Sequence, residues 1–384
     1  MSKPKLTVGL IGYQFMGKAH SNAYRQVGRF FDLPMDVRMK TLCGRNQAGV
    51  EAAANVFGWE TTANDWRRVI EDPEIDVIDI ATPGNTHCEI AVAAAEAGKI
   101  VFCEKPIGNS LVEAEKIAAA VAKSGRPSLV YHNYRATPAI ALTKKMIASG
   151  QLGEIFHIRA HYLQDWIIDP EFPLVWRLNR DIAGSGTLGD LAAHSIDTAR
   201  YLVGEFQEVC GMLHTFVKER PLVGEIDDKM GATASTERGE VTVDDASIFM
   251  ARLGNGTVGT FEASRFSTGR KNYNRFEING SKGAVVFNFE RMNELEYYNN
   301  EDPEGTQGFR LIQATEAHHP YAGHYWPVGH IIGYEHTFIN LIADAVTALA
   351  EGREPSPNMQ EGLANQRVLD AVERSHASRG WVSL

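Results

Sequence analysis

Between Lys5 and Tyr131 the chain alternates short apolar runs with alanine-rich stretches of helical spacing, and few folds accommodate that alternation. The runs are Lys5–Ile11, Met39–Leu42, Val77–Ile80, Ile100–Cys103 and Ser128–Tyr131. Between them, Gln47–Phe57, Cys88–Ala97 and Leu111–Lys123 repeat apolar residues at the intervals of a helix face. A strand that is apolar at successive positions buries both faces, and a parallel sheet covered by helices provides that burial. Residues 1–131 are therefore expected to form a doubly wound α/β domain.

After residue 132 the pattern changes. Pro138–Ser149 predicts a helix closed by Gly150. Ile155–Tyr162 sets Phe156, Ile158, Ala160 and Tyr162 against His157, Arg159 and His161, the period of a half-buried strand. Ser247–Leu253 and Thr257–Ala263 flank a Gly-Asn-Gly turn, Arg275–Ile278 and Ala284–Phe289 flank Asn279-Gly-Ser-Lys-Gly283, and Glu294–Tyr298 follows. Two helices, Tyr334–Ala350 and Glu361–His376, close the chain around Pro355-Ser-Pro357. Residues 132–384 are thus expected to form an α+β domain, a largely antiparallel sheet with helices on one side. The stretch Gln164–Thr187 has no period, and an aromatic loop of that length points to function.

A chain of 384 residues exceeds one ordinary core, and 44% apolar with 22% charged residues is the profile of a soluble globular protein. A net charge of −10 without any Lys/Arg run argues against a nucleic-acid partner. No stretch approaches the ~18 apolar residues of a membrane span, and the first apolar run is too short for a secretory signal. Cys43, Cys88, Cys103 and Cys210 form neither a CxxC pair nor a disulfide framework, which suits reduced thiols in a cytoplasm.

Three motifs carry chemistry. Gly12-Tyr-Gln-Phe-Met-Gly17 follows the first strand and opens a helix, as a dinucleotide-binding turn does, with Gln14 in place of the middle glycine. The second strand ends Gly44-Arg45 with no acid to bind a ribose 2′-hydroxyl, and an arginine there accepts a 2′-phosphate, so both NAD and NADP stay open. Ala81-Thr-Pro-Gly-Asn-Thr-His87 and Glu104-Lys105-Pro106 fall at strand ends, the edge where open α/β sheets bind ligands. An ammonium at Lys105 can polarise a hydroxyl and stabilise a developing alkoxide. Asp190 and His194, four apart in an expected helix Leu188–Leu202, share a face, and histidine is the natural proton acceptor near neutral pH. Each feature alone suits an ordinary surface residue; together they suit hydride and proton transfer from a secondary alcohol. The histidine-rich stretch His318–His330 lacks zinc-ligand spacing, so no metal is expected. Tyr325, Trp326, Trp166 and Trp176 instead offer flat faces with polar edges, suited to a sugar ring.

Val8-Gly-Leu-Ile-Gly12, Met16-Gly17-Lys-Ala-His20, Ala81-Thr-Pro, Glu104-Lys105-Pro106 and Gly189-Asp190-Leu-Ala-Ala-His194 together resemble the Gfo/Idh/MocA oxidoreductases, along essentially the whole chain. Tyr13–Asn22, His161–Trp166 and Trp326–Glu335 look most like the levoglucosan and glucoside 3-dehydrogenase branch. The resemblance implies an N-terminal Rossmann domain, a C-terminal domain whose open sheet makes dimers or tetramers, and NAD(P) as cofactor. It places the cofactor on Gly12, Gln14, Phe15, Met16, Gly44, Arg45, Thr82, Pro83, Asn85, His87, Glu104 and Lys105. It places a sugar on Lys105, Tyr134, Gln164, Trp166, Trp176, Arg177, Asp190, His194 and His330. The implied reaction oxidises a secondary hydroxyl of a pyranose, glucoside or anhydrosugar, at C3, with Lys105 polarising the oxygen, His194 taking the proton and Asp190 orienting both. A cyclitol dehydrogenase acting on inositol, a keto-sugar reductase, and a non-catalytic nucleotide-binding regulator remain as alternatives.

Overall fold

The computed structural model describes residues 3–226 and 232–384. They form two compact units, Met1–Thr137 with Tyr321–Ala364, and Pro138–Pro320 with Asn365–Leu384.

The first unit is built on six strands: β1 (Lys5–Ile11), β2 (Asp36–Cys43), β3 (Thr61–Ala63), β4 (Val77–Ile80), β5 (Ile100–Cys103) and β6 (Ser128–Val130). They lie in the order β3-β2-β1-β4-β5-β6, and every pairing is parallel. The strand order reverses between β1 and β4, which leaves a crevice at their carboxyl ends. Helices α1 (Phe15–Phe30), α2 (Gln47–Phe57), α3 (Trp66–Glu71), α4 (His87–Glu96) and α5 (Leu111–Ser124) cover the sheet. Their ends are set locally: Asn46, Asp65 and Ser110 accept backbone N–H groups at the starts of α2, α3 and α5, and left-handed Gly58 and Gly125 stop α2 and α5. Both sheet faces are apolar. On one, Leu6, Val8, Leu10 and Leu42 pack with Val27 of α1 and with Phe338, Ile339, Ile342 and Val346 of the helix Glu335–Ala350. On the other, Ile11, Ile78, Ile80 and Val101 pack with Ile90, Ala94 and Ile117. Each such buried side chain contributes roughly 1.5–3 kcal/mol. The doubly wound arrangement read from the apolar runs is the one found; β3, three residues long and polar, gives no such signal.

The second unit is built on a nine-stranded sheet. Its strands are β7 (Ile155–Leu163), β8 (Phe206–His214), β11 (Ala246–Leu253), β12 (Val258–Ser264), β13 (Tyr273–Gly280), β14 (Gly283–Asn288), β15 (Glu294–Asn299), β16 (Arg310–Gln313) and β17 (Val382–Ser383). A separate pair joins β9 (Glu219–Ile226) to β10 (Ala232–Glu240). The large sheet runs β16-β15-β14-β13-β7-β12-β11-β8-β17 and is antiparallel except where β12 lies beside β7. Alternation along β11 and β12 turns Phe249 and Phe261 inward, where their rings stack at 4.7 Å. Helices α6 (Pro138–Ala148), α7 (Arg180–Ala183) and α8 (Ala193–Leu202) follow in the chain, then α9 (Glu335–Ala350) and α10 (Met359–Ser378). The expected helix Leu188–Leu202 is a π-helical turn at Leu188–Ala192 that becomes α-helical only from Ala193. The aperiodic stretch 164–187 has its own small core, in which Ile167 and Leu178 pack with Val241 and Val243.

Candidate active site

The glycine turn occupies the carboxyl end of β1. Gly12 has φ +110°, and a Cβ there would collide with the carbonyl oxygen of Ala81 at the end of β4. A Cβ on Gly17 would collide with the Gly12 oxygen, so α1 starts pressed against the turn. Gln14, at the position of the missing glycine, is the exposed N-terminal cap residue of α1 with φ −74°, a conformation open to any side chain. Phe15 is half-exposed and stacks on Tyr334 at 6.4 Å, while Met16 is partly buried against the core. The Tyr13 ring lies where a Gly44 Cβ would be, its hydroxyl beside Gly49, so the turn packs onto the end of β2. Arg45 is exposed there. A close-packed glycine turn opening a sixteen-residue helix fits a dinucleotide, whose pyrophosphate takes the N–H groups of that helix end.

Lys105 lies two residues beyond the end of β5, and its peptide bond to Pro106 is cis. Beneath it lies a buried polar cluster. One Glu104 carboxylate oxygen accepts the Lys105 backbone N–H at 3.0 Å; the other meets His20 Nε2 at 3.0 Å. His20 Nδ1 meets both oxygens of Asp79 at 3.1 and 3.2 Å, and Tyr24 and Tyr131 donate their hydroxyls to Asp79 Oδ2 at 2.7 and 2.8 Å. Tyr131 also stacks on the imidazole at 3.8 Å. Burial alone would push His20 down, but attraction and hydrogen bonds from Asp79 and Glu104 outweigh it and raise its pKa to about 9. It is therefore an imidazolium donating from both nitrogens. Burial and the Asp79 charge push both tyrosine hydroxyls well above their ordinary value, which keeps them as donors.

The loop after β4 is strapped to the Lys105 turn. His87 Nδ1 lies 2.9 Å from the Pro106 oxygen and Nε2 lies 2.9 Å from the Thr82 oxygen, so its side chain is occupied by backbone. Burial is the main cause drawing its pKa down. The Thr86 hydroxyl donates to Thr82 Oγ1 at 2.7 Å; Thr82 and Pro83 are half-buried, and Asn85 is exposed.

In the second unit, Asp190 projects from the π-helical turn. Its Oδ2 accepts from Arg265 Nη2 at 2.7 Å, and the Arg265 guanidinium lies 5.3 Å from the Trp166 ring centre. Burial draws the Arg177 guanidinium below its ordinary value; Asp190 pulls it back and Arg265 pushes it further down. One carboxylate and two guanidinium groups thus form one electrostatic cluster, with Arg177 stacked over Trp176 at 4.3 Å. His194, in the first turn of α8, is buried and tilted against the Tyr162 ring at 5.8 Å. Gln164 accepts from Trp166 Nε1 at 2.9 Å and donates to Asn272 at 3.0 Å, so its amide steers the indole.

Other expected residues lie in the first unit. Tyr134 is buried and meets Tyr334 edge-on at 6.5 Å. His330 is exposed, with Nδ1 2.8 Å from the Pro327 oxygen. Tyr325 and Trp326 pack on Phe30, the last residue of α1, whereas the glycine turn adjoins its first. A rise of 1.5 Å per residue puts those helix ends roughly 22 Å apart. Among the described residues no cluster of three or more His, Cys, Asp or Glu could hold a metal ion.

The sequence reading left His20, Tyr24, Asp79 and Arg265 without roles. For the first two a signal existed: polar residues four apart on the face of α1 that also carries Ala23 and Val27. Arg265 stands 75 positions beyond its partner, and no local pattern marks it.

A dinucleotide turn on a six-stranded parallel sheet, joined in one chain to an open antiparallel sheet, defines a two-domain nicotinamide-dependent oxidoreductase. The chain belongs to the Gfo/Idh/MocA family: residues 6–132 match the oxidoreductase family's NAD-binding Rossmann fold, and residues 140–286 match the GFO/IDH/MocA C-terminal domain. It is 45% identical to levoglucosan dehydrogenase of Pseudarthrobacter phenanthrenivorans, over 99% of this chain and 98% of that protein. Among solved structures, an oxidoreductase domain protein from Kribbella flavida is 51% identical with a TM-score of 0.93, covering 100% of this chain and 99% of that one. Levoglucosan dehydrogenase in complex with NADH and levoglucosan is 44% identical with a TM-score of 0.93, covering 99% of both chains.

Proposed function

We propose that this enzyme reversibly oxidises a secondary hydroxyl, at C3, of a pyranose sugar, glucoside or anhydrosugar. The observation that carries this reading is the second-unit cluster: an aspartate fixed by a buried arginine, four residues before a buried histidine, beside two arginine-stacked tryptophans. Charged groups of both signs beside flat aromatic faces suit a polyhydroxylated ring. The full-length likeness to a levoglucosan dehydrogenase supports the same substrate class.

NAD, when bound, supplies the nicotinamide carbon that accepts the hydride. Gly12, Gln14, Phe15 and Met16 hold the dinucleotide at the start of α1, with Thr82, Pro83, Asn85, His87 and Glu104 shaping the strand-end loops. The Lys105 ammonium donates to the substrate oxygen and offsets its growing charge. An imidazole nitrogen of His194 takes the hydroxyl proton. Asp190 orients the imidazole, and Gln164, Trp166, Trp176, Arg177, Tyr134 and His330 complete the sugar contacts. With no acid at Gly44-Arg45, NADP is accepted as well.

The test is turnover of purified protein on a panel of pyranoses, anhydrosugars and inositols with NAD⁺ and NADP⁺. Lys105→Ala and His194→Ala should each lose about a hundredfold or more in kcat while still binding NADH. Near wild-type turnover in either variant would sink the assignment.

The chain is further proposed to work as a cytoplasmic homodimer or homotetramer joined through the nine-stranded sheet. Register places Met212 opposite Ile248 and Cys210 opposite Met250 on its open face, where Met212, Ile248 and Met250 are exposed. A monomeric mass by light scattering would refute it.

A further inference from the structure

Arg265 leaves β12 with its backbone N–H on the Asp245 oxygen at 3.1 Å, and its side chain is 1% exposed. Its Nη2 reaches Asp190, but Nε and Nη1 find no hydrogen-bond acceptor among the described residues. The Asp190 side chain, by contrast, is 36% exposed. As a device for stability this pair is poor: the guanidinium bears the cost of burial, while its partner sits where water weakens the attraction. The arrangement makes sense if its product is the state of Asp190.

The surroundings point the same way. Asp244 accepts the Gly186 N–H at 2.7 Å, the Thr187 hydroxyl at 2.6 Å and the Leu188 N–H at 2.9 Å, pinning the start of the turn that carries Asp190. The adjacent Asp245 is buried and acts electrostatically on both Arg265 and Arg220. Consecutive buried aspartates thus hold the two sides of the Asp190–Arg265 contact, one the helix start and the other the arginine. Arg265 bonds Asp190, Arg177 is electrostatically coupled to it, and His194 follows four residues on.

We propose that Arg265 is a positioning residue: its buried guanidinium clamps the Asp190 carboxylate so that Asp190 works as a fixed anion beside His194 rather than as a proton acceptor. This rests on the assignment of Asp190 and His194 to the reaction. A cation at hydrogen-bond distance favours the ionised carboxylate, and the bidentate-capable fork also fixes its direction.

The test compares Arg265→Met and Arg265→Lys with wild type, measuring kcat and kcat/KM from pH 5.5 to 10 alongside NADH affinity by fluorescence. For Arg265→Met, kcat/KM should fall about tenfold or more at neutral pH, mainly through kcat, and its acid limb should move up by about half a pH unit or more. NADH affinity should stay within about threefold, and Arg265→Lys should restore the limb toward its wild-type position. An acid limb that stays in place in a folded Arg265→Met protein would overturn the proposal, because a merely structural arginine lowers the active fraction without moving a pH profile. Asp190→Asn and His194→Ala separate the two levels: wild-type turnover in those variants refutes the assignment beneath, whereas their inactivity with a fully active Arg265→Met refutes the clamp alone.

Discussion

Replacing His20 by glutamine removes the cation that bridges Asp79 and Glu104 and keeps a side chain of similar length. The native imidazolium holds its proton to about pH 9, against 6.5 for an unperturbed histidine. That difference of two and a half units, at about 1.4 kcal/mol each, is worth roughly 3 kcal/mol of folding free energy. The sign follows from proton counts. Below about pH 6.5 folded and unfolded chains both bind the proton, and the contribution is fully present. Between about 6.5 and 9 only the folded chain binds it, so stability falls by about 1.4 kcal/mol per pH unit as pH rises. The variant lacks that slope and takes the bridging cation away from two buried carboxylates, a loss of about 3–5 kcal/mol near pH 6.5. Urea unfolding of both proteins at intervals from pH 6 to 10 measures the gap, the titrations of groups away from His20 cancelling in the difference. The gap should narrow steadily up to about pH 9. A gap constant across that range would mean a neutral native His20 and would refute the argument.

Gly17→Ala should abolish measurable NADH binding or raise its Kd by about a hundredfold, because the new methyl collides with the Gly12 oxygen and pushes α1 off the turn; calorimetry checks this. Arg220→Met should cost about 3–5 kcal/mol, since Arg220 is fully buried and donates to the carbonyls of Ile167, Asp169 and Phe172; faster proteolysis within residues 164–178 is the companion readout.

How far the sequence carried depended on where each signal lies along the chain. Gln47–Phe57 and Val77–Ile80 were legible to the residue, because periodicity, an asparagine cap and a following glycine all act within a few positions. Phe206–Glu240 was not: β8 mixes Gln207, Glu208 and Gly211 into its apolar run, and β10 is mostly small or polar. The Lys105, Asp190 and His194 motifs stood out, but their supports did not. Asp79 reads as one polar residue in an apolar strand, and only the fold brings it to His20, 59 positions earlier. The π-helical turn is equally hidden, since the carboxylate that pins it comes from Asp244.

The first unit is made of two distant chain segments, and that sets the order in which the protein can be completed. The outer edge of β6 receives its partners from far downstream: Val130 N–H bonds the Pro357 oxygen at 2.8 Å, and Glu354 accepts from Ser128. Phe338, Ile339 and Ile342 fill the face of the sheet on which α1 lies. A nascent chain leaving the ribosome therefore presents all six strands of the nucleotide-binding sheet long before the residues that seal it exist. A fragment ending near residue 137 would expose that apolar face permanently, so the cofactor half of this enzyme is not a module that can be cut away and kept.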